Sequence, residues 1–480
     1  MYRENYKSSL QAELLEMVEQ KLTPVALSYK YSEVPLESTI KWRPTVLILG
    51  NYSSGKSTLI NEYLGGQIQE TGQAPTDDSF TVITYDGNEI HDQDIRVTEE
   101  HDGNYLLNDP EFPFEKMKRY GRRFASHFRL KKVNSPFLRD LAIIDTPGML
   151  DSVTERDRGY NYQEVIGDFA RIADLILVLF DPHKAGTVQE TYVALRETLP
   201  SSTFEERIYF VLNRIDECES MTDLLQVYGT LCWNLSQMTG RKDIPRIHLT
   251  YSSCASKQSP KTDYLKYLQN QREELRKTLL SAPDLRLDHV AGFVENHSEH
   301  LDHFLEALVS YKKKALGFDV KFGITTVVIS LISSFAALFL LSLSGALGGM
   351  PVELLLVFAM GGAVLLYTTL VSSFRTLFKT RFHKKIMADF DSLTVLDNQR
   401  RKDNWGAVRK LAFSYLENQK WRFPLSRVKK EHEAIHHVAT KGVKEIREAL
   451  AELHVIGNGE RGDKDSDSDV IPLGWDGQDR

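Results

Sequence analysis

TVLILGNYSSGKSTLINEYL, residues 45–64, decides the fold: a β-rich apolar run, then GxxxxGKS over Gly50–Ser57, then a helical pattern. Glycines let such a loop curl its N–H groups around phosphate oxygens at a helix N-terminus, where the helix dipole favours negative charge. The residues expected to hold phosphate are Gly50, Asn51, Tyr52, Ser53, Ser54, Gly55, Lys56, Ser57 and Thr58. Lys56 would neutralise the β and γ oxygens, and the Ser57 hydroxyl would bind Mg²⁺.

Two further motifs follow in order. LRDLAIIDTPGML (138–150) ends a second apolar strand in Asp145, Thr146, Pro147 and Gly148, where a carboxylate on the outer shell of the Mg²⁺ and a glycine N–H sensing the γ-phosphate belong. ERIYFVLNRID (206–216) runs a strand into Asn213, Arg214 and Asp216; a carboxylate there accepts both N–H groups on the Watson–Crick edge of guanine. Arg214 stands where NKxD has lysine, and its guanidinium plane can lie against a base. Between the first two motifs, QAPTDDSF (73–80) offers Thr76 as a switch residue and second Mg²⁺ ligand. RIADLILVLFDPHKAG (171–186) adds another buried strand. Three ordered motifs, each ending a strand, predict an α/β P-loop NTPase with a mostly parallel sheet and its ligands at the carboxyl ends. Lys56, Ser57, Thr76 and Gly148 are the expected catalytic set. No glutamine follows DTPG; Met149 and Leu150 stand there, so attacking water must be held by switch backbone or by a group supplied on dimerisation.

The second decisive stretch is apolar. Spans at about 324–344 and 352–373 each reach the ~20 residues that cross ~30 Å of hydrocarbon, with Glu353 at the edge as the only ionisable side chain. Gly345, Gly348, Gly349 and Pro351 between them supply a tight reversal, which makes a hairpin over 321–374. Lys312, Lys313, Lys314 and Lys321 precede it, and Arg375, Lys379, Arg381, Lys384 and Lys385 follow. By the positive-inside rule both termini and the nucleotide domain are cytoplasmic, in an integral membrane protein whose partner is the lipid bilayer. Two buried helices of a soluble core are the bland alternative.

Composition removes other classes. A net charge of -7 over 480 residues carries no basic signature, so no nucleic acid is expected as partner. Cys218, Cys232 and Cys254 are odd in number and lack CxxC spacing, which suggests neither disulfides nor zinc. The N-terminus is charged and amphipathic, unlike a secretory signal.

LILGNYSSGKSTLINEYL, APTDDSF, IIDTPGML, ADLILVLFDPHK and VLNRIDECESMTDLLQVYGTLCWNLSQ together resemble the dynamin superfamily, most closely its EH-domain-containing ATPases, over roughly residues 20–255. The resemblance implies a dynamin-type G domain, over 41–258, that forms a homodimer or higher homo-oligomer across its nucleotide face. It would hydrolyse nucleotide on assembly and so bend, divide or fuse membranes. Extra positive charge would come from a monovalent cation or the partner subunit. Asp216 favours GTP, whereas the EH-domain branch uses ATP despite an NKxD-like motif, so both substrates stay open. No EF-hand loop pattern is present. The hairpin instead makes the chain similar to mitofusins and atlastins. A nucleotide-gated membrane scaffold that recruits partners without deforming lipid is the alternative function.

The remaining segments read as helices: residues 1–40 and 259–320 as parts of a stalk, 375–456 as its C-terminal portion. KLAFSYLENQKWRFPLSRVKK (410–430) suits either a helix packed in a core or one lying on anionic lipid. His436 and His437 read as exposed helix residues rather than ligands. The acidic, Gly-rich residues 457–480 read as a disordered tail.

Overall fold

A computed structural model describes residues 2–71, 79–87, 94–148, 159–184, 207–239, 246–253, 260–343 and 351–453. Thr76, Met149, Leu150, Cys254, the hairpin-turn glycines 345, 348 and 349, and the acidic tail lie outside the described residues. The chain divides into two units: residues 1–23, 32–293 and 447–480, and residues 24–31 with 294–446.

The strands are β1 (Thr45–Gly50), β2 (Phe80–Tyr85), β3 (Val97–Asp102), β4 (Phe128–Val133), β5 (Ala142–Asp145), β6 (Leu175–Phe180), β7 (Ile208–Leu212) and β8 (Ile247–Leu249). The helices are α1 (Tyr2–Met17), α2 (Thr23–Ser28), α3 (Lys56–Leu64), α4 (Gly103–Asn108), α5 (Gly121–Ser126), α6 (Tyr162–Ile172), α7 (Met221–Thr239), α8 (Arg272–Leu280), α9 (Ala282–Leu343), α10 (Val352–Ala388), α11 (Gln399–Gln419) and α12 (Leu425–His437).

In the first unit the eight strands form one sheet in the order β3-β4-β2-β5-β1-β6-β7-β8. Pairing is parallel from β5 across to β8 and between β2 and β4; β2 against β5 and β3 against β4 are antiparallel. The expected α/β P-loop fold with a mostly parallel sheet is therefore present. Every residue of β1 is buried, with Leu47 and Leu49 in one core and Val46 and Ile48 in the other. This two-sided burial is why the strand reads as an unbroken apolar run instead of an alternation. One core is aromatic, with Phe80, Phe124, Phe128 and Phe169 in mutual ring contact. The other packs α3 and α8 on the sheet through Leu59, Ile60, Leu275 and Leu279.

The start of α9 is bound to this sheet by a buried polar cluster. Asp174, fully buried just before β6, accepts from the Thr45 N–H (2.9 Å), Arg286 Nη1 (3.0 Å) and His289 Nδ1 (2.7 Å). Arg286 also donates to the carbonyls of Ile40 and Trp42. A buried carboxylate is tolerated because each of its oxygens is paired.

The second unit is helical. Helix α9 continues without interruption through the change from charged to apolar composition near residue 320, despite Gly317 and Gly323, neither of which has packing close to its Cβ position. Its apolar portion and α10 are both long and apolar enough to cross a membrane, and their most apolar windows are only 17% and 11% buried. The faces are inverted relative to a soluble core. Thr326, Ser330, Ser334, Ala359 and Ala363 are buried, while Phe339, Leu340, Val357 and Leu365 are exposed. Ser334 Oγ donates to the Ala359 carbonyl at 2.7 Å, and the Cβ position of Gly362 lies 2.8 Å from Ser334 Oγ, a close approach that small residues allow. At the charged end of the pair, Asp319 binds Lys379 (2.6 Å) and Phe318 stacks on Phe382. In the 410–430 stretch, Leu416, Phe423 and Val428 are buried and Lys420 breaks the helix at φ 51°, so its apolar side chains pack inward.

Candidate nucleotide-binding site

β1 delivers the chain into a loop that only particular residues can follow. Ser53 has φ 64° and Gly55 φ 85°, and a Cβ on Gly55 would lie 2.4 Å from Asn213 Nδ2. Glycine is therefore required twice over at 55, by backbone and by space. α3 starts at Lys56 with its first N–H groups facing a cleft of about 310 Å³.

That cleft gathers residues remote in sequence. Tyr52, Ser53, Ser54, Gly55, Lys56, Ser57 and Thr58 line it with Asp145, Thr146 and Gly148 from the end of β5, and Asn213, Arg214 and Asp216 from the end of β7. Three expected binding residues sit behind the wall. The Gly50 and Asn51 carbonyls accept from Lys56 Nζ at 2.8 and 3.2 Å, which aims the ammonium across the loop. The Pro147 carbonyl accepts from Tyr162 Oη at 3.0 Å. Gly148 lies under Tyr52: a Cβ there would come within 2.6 Å of the ring, so only glycine brings the DTPG backbone this close.

Asn213 joins the pieces. Its Nδ2 donates to the Ser54 carbonyl (2.9 Å), and its Oδ1 accepts from Thr250 Oγ1 (3.0 Å) and Arg272 Nη1 (3.2 Å). Arg214 is held by its neighbours. The N–H edge of its guanidinium donates to the Ser53 carbonyl, to Asp181 Oδ2 at 3.2 Å and to Glu217, which clamps the phosphate loop to the base-reading turn. Asp145 accepts from Gln69 Nε2 at 2.6 Å, and Lys131 Nζ donates to Gln69 Oε1 at 2.8 Å. Asn61 fixes that segment by accepting from the N–H groups of Ile68 and Gln69. Gln69, Ser252 and Arg272 therefore line the cleft without having been expected there. No local motif marks them; each arrives through tertiary structure.

Ser57 and the Asp145 carboxylate line the same cleft as Lys56, an oxygen-donor set that suits a hard divalent cation. Near the base-reading turn, burial pushes the Cys218 thiol up to about 11, which leaves it an inert packing residue.

A mostly parallel sheet with a phosphate loop after β1, DTPG after β5 and NRID after β7 defines a P-loop NTPase of the G-domain class. Residues 46–215 match the Dynamin family. The chain is similar to EH domain-containing protein 1 of Homo sapiens, 31% identical over 243 residues that cover 49% of this chain and 43% of the relative. EH domain-containing protein 2 of Mus musculus is 32% identical over 246 residues, covering 49% and 42%. The chain thus spans less than half the length of these relatives. Among solved structures, one of an oligomerised bacterial dynamin pair aligns over 95% of this chain and 75% of that one, at 14% identity and a TM-score of 0.35. Arabidopsis thaliana Toc33 in complex with GDP and Mg²⁺ aligns over 57% and 92%, at 15% identity and a TM-score of 0.31.

Proposed function

We propose that this chain is a membrane-anchored, dynamin-like nucleoside triphosphatase that couples Mg²⁺-dependent hydrolysis and G-domain self-association to remodelling of a lipid bilayer. The observation that carries the reading is α9 itself. One helix begins at the Asp174 cluster of a nucleotide-binding unit and ends in an apolar segment of membrane-spanning length.

In the cleft, the N–H groups of the loop and of α3 cradle the phosphates, and Lys56 neutralises charge developing on the β–γ bridge and γ oxygens. Ser57, Thr76 and, through water, Asp145 would hold Mg²⁺, which supplies further neutralisation of phosphate charge. The Gly148 N–H reports the γ-phosphate to the chain that follows it. Asp216 reads the base, and guanine is favoured because its N1–H and N2–H₂ match one carboxylate. ATP is the competing substrate, favoured by the likeness to the EH-domain relatives. Self-association is supported by an apolar stripe on α7, where Met221, Leu225 and Trp233 are exposed on one face at multiples of four residues. The inverted faces of α9 and α10 and the basic residues at both ends support a spanning hairpin with the nucleotide unit on the cytoplasmic side.

The test is reconstitution of the full chain into anionic vesicles. Nucleotide-dependent tubulation, tethering or lipid mixing, lost in Lys56→Ala, is expected. Vesicles left unchanged while nucleotide is turned over would contradict remodelling and favour a nucleotide-gated scaffold.

A further inference from the structure

Residues 432–436 of α12 read His-Glu-Ala-Ile-His, placing two imidazoles one turn apart on one helix face. Such a pattern arises often by chance, and what gives it weight is the residue opposite. Asp302, on α9 in the same helical unit, lies 3.2 Å from His432 Nε2 and 3.2 Å from His436 Nδ1. The three donor atoms fall within 4.8 Å of one another. We propose that Asp302, His432 and His436 form a binding site for a borderline divalent transition-metal ion, with zinc the reference ion, that clasps α12 to α9.

The spacing suits an ion. Ligands on a tetrahedral zinc, with bonds of about 2.0–2.1 Å, lie about 3.3 Å apart. The donor set of two nitrogens and one carboxylate oxygen matches borderline ions and disfavours Mg²⁺ and Ca²⁺, which take oxygen ligands. The neighbouring carboxylates on α9 are neutralised in another way: Glu295 and Glu299 bind Arg400, and Glu306 binds Arg401. Asp302 alone in this row faces two imidazoles, and among the described residues it has no lysine or arginine partner. Burial also fits a structural clasp with an open outer side. The Asp302 side chain is 15% exposed and that of His432 23%, whereas His436 is 56% exposed, leaving a path for the ion and water for its remaining coordination. Beneath the site, Leu301, Leu305, Ile435 and Val438 are buried. Glu433 is 66% exposed and paired with Lys429, so it is not held toward the ion as a general base would be. His436, expected from sequence as an exposed residue, is exposed and yet faces a carboxylate.

The test uses the full chain in detergent micelles, stripped with chelator and free of nucleotide, titrated with Co²⁺ and then Zn²⁺. Wild type is expected to bind one more equivalent of Co²⁺ than His432→Gln/His436→Gln, with visible d–d absorption that Zn²⁺ displaces. Zn²⁺ is expected to raise the unfolding temperature of wild type only. Sites shared by both proteins, including the nucleotide cleft, cancel in the difference. Equal nucleotide affinity in the two shows that the variant folds. Should it not fold, His436→Gln, changed at an exposed position, is expected to weaken Co²⁺ binding by at least roughly tenfold. Equal stoichiometry, equal spectra and equal affinity across the variants would overturn the proposal and leave a hydrogen-bonded histidine–carboxylate cluster.

Discussion

Asn213 shows how the cleft is held at the scale of one residue. Its amide bonds to the Ser54 carbonyl, Thr250 and Arg272, so the turn that carries Asp216 is tied to the phosphate loop before any nucleotide arrives. Asp216 has no such structural duty among the described residues, and the proposed function assigns it the discrimination of bases. Asp216→Asn exchanges an acceptor pair for one acceptor and one donor. Hydrogen bonds to a charged group contribute ~1.5–3 kcal/mol, so GTP affinity is expected to fall about 10- to 100-fold, with ATP affinity unchanged. A competition titration of labelled nucleotides measures this; equal losses for both would deny Asp216 its role. At this scale the sequence was most legible where a motif is contiguous, because the left-handed backbone at Gly55 is a local demand. Arg272 and Gln69 were illegible for the opposite reason. Arg272 reaches Asn213 from 59 residues downstream, and Gln69 reaches Asp145 from 76 residues upstream, through packing that no spacing announces.

At the scale of elements, the Asp174 cluster and the α9–α10 pair carry the account. Burial opposes ionisation of Asp174, but the His289 hydrogen bond and the Arg286 charge outweigh it and hold the carboxyl below its ordinary value. Burial, reinforced by the charge of Arg207, lowers His289 against the pull of Asp174, so the folded imidazole is neutral and donates its Nδ1–H. The signs follow from linkage. The unfolded chain protonates His289 below about pH 6.5 and the folded chain only at lower pH, so stability from this site is full above that pH and falls as pH drops toward the folded value. The Asp174 contribution is lost only further down, below about pH 4. His289→Asn keeps a donor near the same place without the titration. Urea unfolding of this variant is expected to show a shallower loss of stability between about pH 6.5 and 5, and an unchanged slope would contradict the assignment. In the apolar pair, Ile332 is 64% exposed on the face read as lipid-facing. Arginine at the centre of a span costs ~2.5–3.5 kcal/mol, so Ile332→Arg is expected to shift the protein from the carbonate-resistant membrane fraction into the extractable one. Full retention would count against a span at this position. The helices themselves were legible from periodicity. The continuity of α9 was not, because a sharp change of composition near 320 resembles a boundary, whereas the backbone hydrogen-bond ladder does not depend on side-chain polarity.

At the scale of the whole molecule, the proposal is of a machine in which a nucleotide unit acts on lipid through helices rooted beside its own sheet. If α9 and α10 form the proposed spanning hairpin, both arms would return to the nucleotide's side of the membrane, and a change at the γ-phosphate would be applied through two connections. In this proposal, self-association of the G domains would make such a change productive, since no glutamine follows DTPG to hold the attacking water. Turnover per molecule should therefore rise with protein concentration. The most direct test is hydrolysis of GTP and of ATP by the full chain across a range of protein concentrations, with and without liposomes. The account predicts specific activity that climbs with concentration and with lipid, and a roughly 100- to 1000-fold loss of turnover in Lys56→Ala. Specific activity independent of both concentration and lipid, or unchanged in Lys56→Ala, would contradict it.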